Sequence, residues 1–158
     1  PDGAPNVYRR SVYTFWKRTG PTPVMMALDA SKRDVCTVRR ERTDSASQAL
    51  IMLNGTQFVE TARATADILI QNHGTTNPND LIQEAFKKLT SRSPSERESK
   101  ILQNLLEEQQ KYFTDDKETE KFLKVGYYQA KAKDKKYLAA VTSLVSTLMN
   151  FDGTLSKR

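Results

Sequence analysis

Residues 36–54, Cys36-Thr-Val-Arg-Arg-Glu-Arg-Thr-Asp-Ser-Ala-Ser-Gln-Ala-Leu-Ile-Met-Leu-Asn54, carry a cluster of arginines straight into an apolar segment with helical spacing. Ser45 followed three residues later by Gln48 is a capping-box pattern, in which the hydroxyl and the amide oxygen each accept a backbone N–H at a helix start. Ala49, Leu50, Ile51 and Leu53 follow, and Asn54-Gly55 closes the helix. Upstream, Arg39, Arg40 and Arg42 need carboxylate or carbonyl partners if they are sunk in a fold, because an unpaired buried guanidinium costs several kcal/mol.

Beyond this stretch the chain reads as a succession of helices. Thr56 is placed to cap a second helix with Phe58, Ala62, Ala66, Leu69 and Ile70 as its inward stripe and Gly74 as its stop, antiparallel to the first across a short joint. Asn77-Pro78 opens a third helix, carrying Leu81, Ile82, Ala85, Phe86 and Leu89. Ser93-Pro94-Ser95-Glu96 opens a fourth, through Ile101, Leu102, Leu105, Leu106, Tyr112 and Phe113. This fourth helix should be the longest surface helix. Thr114 begins a short fifth helix that Gly126 ends, Lys131 to Lys136 reads as a solvated link, and Lys136 to Met149 has the widest apolar face. That last helix should be the most buried.

Toward the N-terminus, Pro1, Gly3 and Pro5 break regular structure. Arg10 to Lys17 is dense in aromatic and β-branched residues and reads as extended, with Val12, Thr14 and Trp16 on one face. Thr19-Gly-Pro-Thr-Pro forces a loop, and Val24 to Leu28 is a short apolar plug. The fold expected is mainly α: a single helical domain of about six helices with an extended N-terminal arm. Residues 1–44 form the Arg- and aromatic-rich arm and residues 45–158 the helical body.

At 158 residues, such a chain buries roughly 70% of the surface its unfolded state exposes, so a true core is within reach. The net charge of +6 is lopsided: nine Lys/Arg stand against four acids in residues 1–43, which leaves only +1 for the rest. That segment favours Arg over Lys, and thus planar, paired contacts over loose steering. Basic and aromatic residues are interleaved there, but no nucleic-acid-binding motif is present, so a nucleic-acid partner is not expected. Cys36 is the only cysteine and His73 the only histidine. An internal disulfide, a Cys-based metal site and a c-type haem box are therefore excluded, the last because Cys36-Thr-Val-Arg39 lacks the second thiol and the imidazole. No metal site and no catalytic residues are assigned. No apolar run is long enough to cross a bilayer. The start at Pro1 without a Met leads us to expect a piece of a longer protein.

Tyr8-Arg-Arg-Ser-Val-Tyr-Thr-Phe-Trp-Lys-Arg-Thr, Asp29-Ala, Cys36-Thr-Val-Arg-Arg-Glu-Arg-Thr, Gln48-Ala-Leu, Leu53-Asn and Gln57-Phe-Val-Glu-Thr-Ala-Arg follow one another in this order. Together they resemble the planctomycete PSD-type domain of unknown function fifteen-fifty-three, with similarity running from Tyr8 to about Thr154. The resemblance implies a large exported bacterial protein, at the periplasm or cell envelope, of which this chain is the C-terminal part of one domain. It implies adjacent domains of the same polypeptide as partners and haem c in another of those domains, with no cofactor in this chain. The family usually has Asn-Thr-Pro where this chain has Asp44-Ser-Ala, and an acidic-Pro pair at Gly55-Thr56; both look like cap variants.

The arginine cluster supports two readings. In one, Arg39, Arg40 and Arg42 tie the arm to helix ends and to Glu41 or Asp44 through charge-assisted bonds. In the other, the same guanidiniums with Tyr13 and Trp16 line a groove for acidic or sulfated polysaccharide. The function expected is that of a non-catalytic helical module acting in domain–domain packing, with glycan binding as the alternative.

Overall fold

The structure, a computed structural model, describes residues 8, 14–17, 20, 22–31, 36, 38–39, 43, 45–74 and 77–155. The fold is mainly α: helices make up 69% of the described residues, among which there is no strand. The helices are α1 (Pro23–Ala27), α2 (Ala46–Asn54), α3 (Thr56–His73), α4 (Pro78–Thr90), α5 (Glu96–Tyr112), α6 (Asp116–Leu123), α7 (Lys135–Met149) and α8 (Asp152–Leu155). The six helices expected from the sequence are present, and two short ones, α1 and α8, join them. Internal contacts gather residues 1–51 and residues 52–158 into two compact units.

In the first unit, the segment expected to be extended falls largely outside the described residues. Its described end contributes only an isolated bridge between Lys17 and Gly20, where Gly20 N–H donates to the Lys17 carbonyl at 3.1 Å. The apolar plug is helix α1, opened by Pro23, whose fixed φ suits a first turn.

In the second unit, α7 is the hub, against which α3, α4, α5, α6 and α8 all pack. Leu138, Ala139, Ala140, Val141, Leu144 and Val145 are buried on it, and the two alanines let neighbouring backbones come close. The expectation that this helix is the most buried holds. The main partner of α3 is α7, far along the chain, rather than a sequence neighbour. Ala62, Ala66 and Leu69 of α3, Leu81, Ile82, Ala85 and Phe86 of α4, and Leu102 and Leu106 of α5 complete the core. The fourth expected helix, α5, has 17 residues with only Leu102 and Leu106 buried, while α3, one residue longer, is far more deeply buried.

Cap positions shift by one or two residues from their sequence assignments. Gly55, not Thr56, precedes α3; Ser95, not Ser93, caps α5; Asp115, not Thr114, caps α6. At Ser95 the box is complete: its hydroxyl accepts the Glu98 N–H at 3.3 Å, and Glu98 Oε2 accepts the Ser95 N–H at 2.8 Å. Arg92 then forks onto the same carboxylate, at 2.9 and 2.6 Å, with its guanidinium 4.7 Å from the centre of the Phe86 ring. One carboxylate thereby locks the α4–α5 joint.

The Arg92 fork, helped by the Ser95 N–H, holds the Glu98 carboxyl down at about 2. The stabilisation from this group is full above its unfolded value near 4.5 and is lost as pH falls toward 2. Because Arg92 is half exposed, solvent screening holds the contribution of the Glu98 carboxylate to about 0.5–1 kcal/mol. Urea denaturation of the native protein and Glu98→Gln should therefore differ by this amount at pH 6 and converge near pH 2. An equal gap at both pH values would refute the assignment.

Candidate functional site

Asp29, directly after α1, adopts a left-handed backbone (φ 55°), a conformation that Asp tolerates better than most residues. Its Oδ2 accepts the Thr43 N–H at 2.7 Å, and its Oδ1 accepts the Thr43 hydroxyl at 2.8 Å. Gln48 completes the knot, donating from Nε2 to Asp29 at 2.9 Å and to Thr43 Oγ1 at 3.1 Å, while its Oε1 accepts the Ser45 N–H at 3.1 Å. The capping box read from sequence is thus present, and its glutamine also anchors a residue 19 positions upstream. The Thr43 backbone N–H, then the Thr43 hydroxyl, hold the Asp29 carboxyl below its ordinary value despite some burial.

This knot ties together the two ends of the segment that carries the arginine cluster. Within that segment Cys36, Val38 and Arg39 are exposed, Val38 completely. Of the other candidate residues Trp16 is half-buried, and the adjacent Phe15 is 83% exposed. Tyr13, Arg40 and Arg42 lie outside the described residues, as do Glu41 and Asp44, the partners proposed for them.

A second polar constellation was not singled out from sequence. Glu60, Arg63 and Asp67 face inward on α3 at spacings of three and four, and all three are buried. Asp67 accepts from Gln71 Nε2 at 3.0 Å, the Tyr128 hydroxyl at 2.7 Å, Lys131 N–H at 3.0 Å and Ala132 N–H at 2.8 Å. Glu60 Oε1 accepts the N–H groups of Tyr127, at 2.6 Å, and Tyr128. Arg63 Nη2 donates to the Tyr128 carbonyl at 2.7 Å. The three side chains clasp residues 126–132, the part expected to run into a solvated link. Burial pushes the Asp67 carboxyl up, but the Lys131 N–H, the Tyr128 hydroxyl, the Ala132 N–H and Gln71 together hold it below its usual value. Burial, and then the Asp67 hydrogen bond, raise the Tyr128 phenol. The signal available in the sequence was Glu60-Thr-Ala-Arg63-Ala-Thr-Ala-Asp67, in which charged residues share a helix with small ones that bring a neighbour close.

His73 contacts Glu84 across the α3–α4 pair, Asp115 is a cap, and Asp116 pairs with Lys136 at 3.0 Å. Glu107 and Glu108 are exposed on α5. Among the described residues no group of three or more His, Cys, Asp or Glu side chains could hold a metal ion. No helix there is long and apolar enough to cross a membrane.

Asp67→Ala would leave three or more donors buried without an acceptor and should cost about 3 kcal/mol, read as a lower urea midpoint. Gly126 has φ 82°, and a Cβ there would stand 2.5 Å from Glu60 Cδ. Gly126→Ala should accordingly cost about 1–3 kcal/mol. Wild-type stability in either variant would show that the clasp does not hold this segment.

No curated protein and no solved structure matches the chain. A family match covers residues 1–106, ending inside α5, whereas the similarity read from the sequence runs from Tyr8 to about Thr154. It takes in the Asp29, Thr43 and Gln48 knot and the α3 residues Glu60, Arg63 and Asp67. The chain belongs to the family described as PSD1, Protein of unknown function (DUF1553).

Proposed function

We propose that the chain is a non-catalytic helical module of a large exported protein, and that it works by contact with a neighbouring domain of the same polypeptide. Residues 1–44 serve as the contacting arm and residues 45–158 as the body. A c-type haem domain elsewhere in the polypeptide is among the neighbours that the resemblance suggests. The observation carrying this reading is the Asp29 knot: its carboxylate is satisfied by Thr43 and Gln48 rather than by a guanidinium, while Arg39 is exposed beside the bare side chain of Val38. Arginine is among the residues enriched at protein interfaces.

A second reading, binding of acidic or sulfated polysaccharide, draws support from the exposed Phe15 ring and from Arg39. Phe15 offers a stacking face and Arg39 a planar fork for a carboxylate or sulfate.

If the chain and the upstream part of its polypeptide are expressed as separate pieces, they should associate in isothermal titration, and Arg39→Glu should weaken them about tenfold without changing the melting temperature. Absence of any association would overturn the first reading. A melting temperature raised by heparin or polyuronate, with the rise abolished by Trp16→Ala, would establish the second in its place.

A further inference from the structure

Between α4, α5 and α7 the second unit holds a cavity of about 500 Å³ that opens to solvent. Phe86, Leu102 and Leu148 form its buried floor, and Leu53, Ile101 and Phe151 its exposed rim. Ile101 belongs by its spacing to the apolar stripe of α5, yet it is 56% exposed, so packing leaves that stripe uncovered where the cavity opens. Among the described residues of the lining the only ionised group is Glu98, and its charge is already met: Arg92 donates to both oxygens, at 2.6 and 2.9 Å, and the Ser95 N–H to Oε2 at 2.8 Å. The Thr147 hydroxyl, also in the lining, donates to the Ser143 carbonyl at 3.0 Å. Cavities of about 300–1,000 Å³ with mostly apolar walls and few polar groups are the usual form of a small-molecule site.

We propose that this cavity is a binding site for an uncharged, mainly apolar small molecule carrying an aromatic ring, which lies on Leu102 and Leu148 and is flanked by Ile101 and Phe151. A charged ligand would lose its hydration there with no free counter-charge to receive it, whereas an uncharged one covers apolar side chains that the fold leaves in water. The Phe86 and Phe151 rings, 6.1 Å apart between centres and tilted by 46°, give the wall an aromatic corner that favours a ring over a flexible chain. Three exposed apolar side chains are far less than the about 800 Å² per partner that a stable protein contact takes, but they suffice to enclose a small molecule. The site shares no residue with the arginine-bearing segment, so it stands or falls independently of the interaction reading.

The test is a titration of the purified chain at neutral pH with naphthylmethanol and with its charged counterpart naphthoate, followed by side-chain methyl chemical shifts and by melting temperature. Naphthylmethanol should bind saturably, raise the melting temperature and shift the methyl resonances of Ile101, Leu102 and Leu148, and naphthoate should bind about tenfold more weakly or worse. Ile101→Glu, on the exposed rim, should weaken the neutral ligand about tenfold without changing the melting temperature of the free protein. Should that variant lose stability, the shift pattern and the preference for the neutral ligand in the native protein decide alone. No saturable response to naphthylmethanol, equal binding of naphthoate, or shifts centred outside the cavity would each overturn the proposal. The same methyl shifts appearing on raising the protein concentration alone would overturn it too, because a second copy of the chain would then fill the cavity.

Discussion

Asp67 is fully buried and remains an anion because four donors converge on it, two of them backbone N–H groups of a segment more than sixty residues away. A carboxylate removed from water survives only if nearly every lone pair is met, and this demand fixes the path of residues 126–132. Glu60 and Arg63 hold the same segment from two turns and one turn earlier on α3. Two residues after Ala132, Asp134 caps α7, accepting the Tyr137 N–H at 3.0 Å. The helix at the centre of the unit therefore begins where the clasp delivers the chain.

The apolar core could tolerate several arrangements of similar helices, since Leu, Val and Ala surfaces are only weakly selective about the register in which they pack. The polar clasp is not so permissive. With Gly126 supplying a backbone conformation and a space that no side chain fits, Glu60 can reach two successive amides of the turn. Buried polar contacts of this kind select one chain path among those that the apolar surfaces would allow.

The N-terminal unit uses a smaller version of the same device. Asp29 collects Thr43 and Gln48, so residues from three separate sequence motifs meet at one carboxylate. The partners are neutral, so the knot involves no guanidinium. The segment that carries Arg39 is thus bounded by a tie made from neutral partners.

The six main helices, their apolar faces, the exceptional burial of α7 and the Ser45–Gln48 box were all legible in the sequence, because helical periodicity and capping chemistry act within a few residues of each other. Family membership was legible for a similar reason, carried by short ordered motifs. Which of two adjacent candidates takes a cap was not, since Ser93 and Ser95, or Thr114 and Asp115, are equally able donors of an oxygen, and the backbone turn chooses between them. Nor could the string Glu60, Arg63, Asp67 disclose its targets. Local sequence sets what each segment can become, whereas the partners of a buried charge lie wherever packing brings distant amides within 3 Å, and only the tertiary structure decides that.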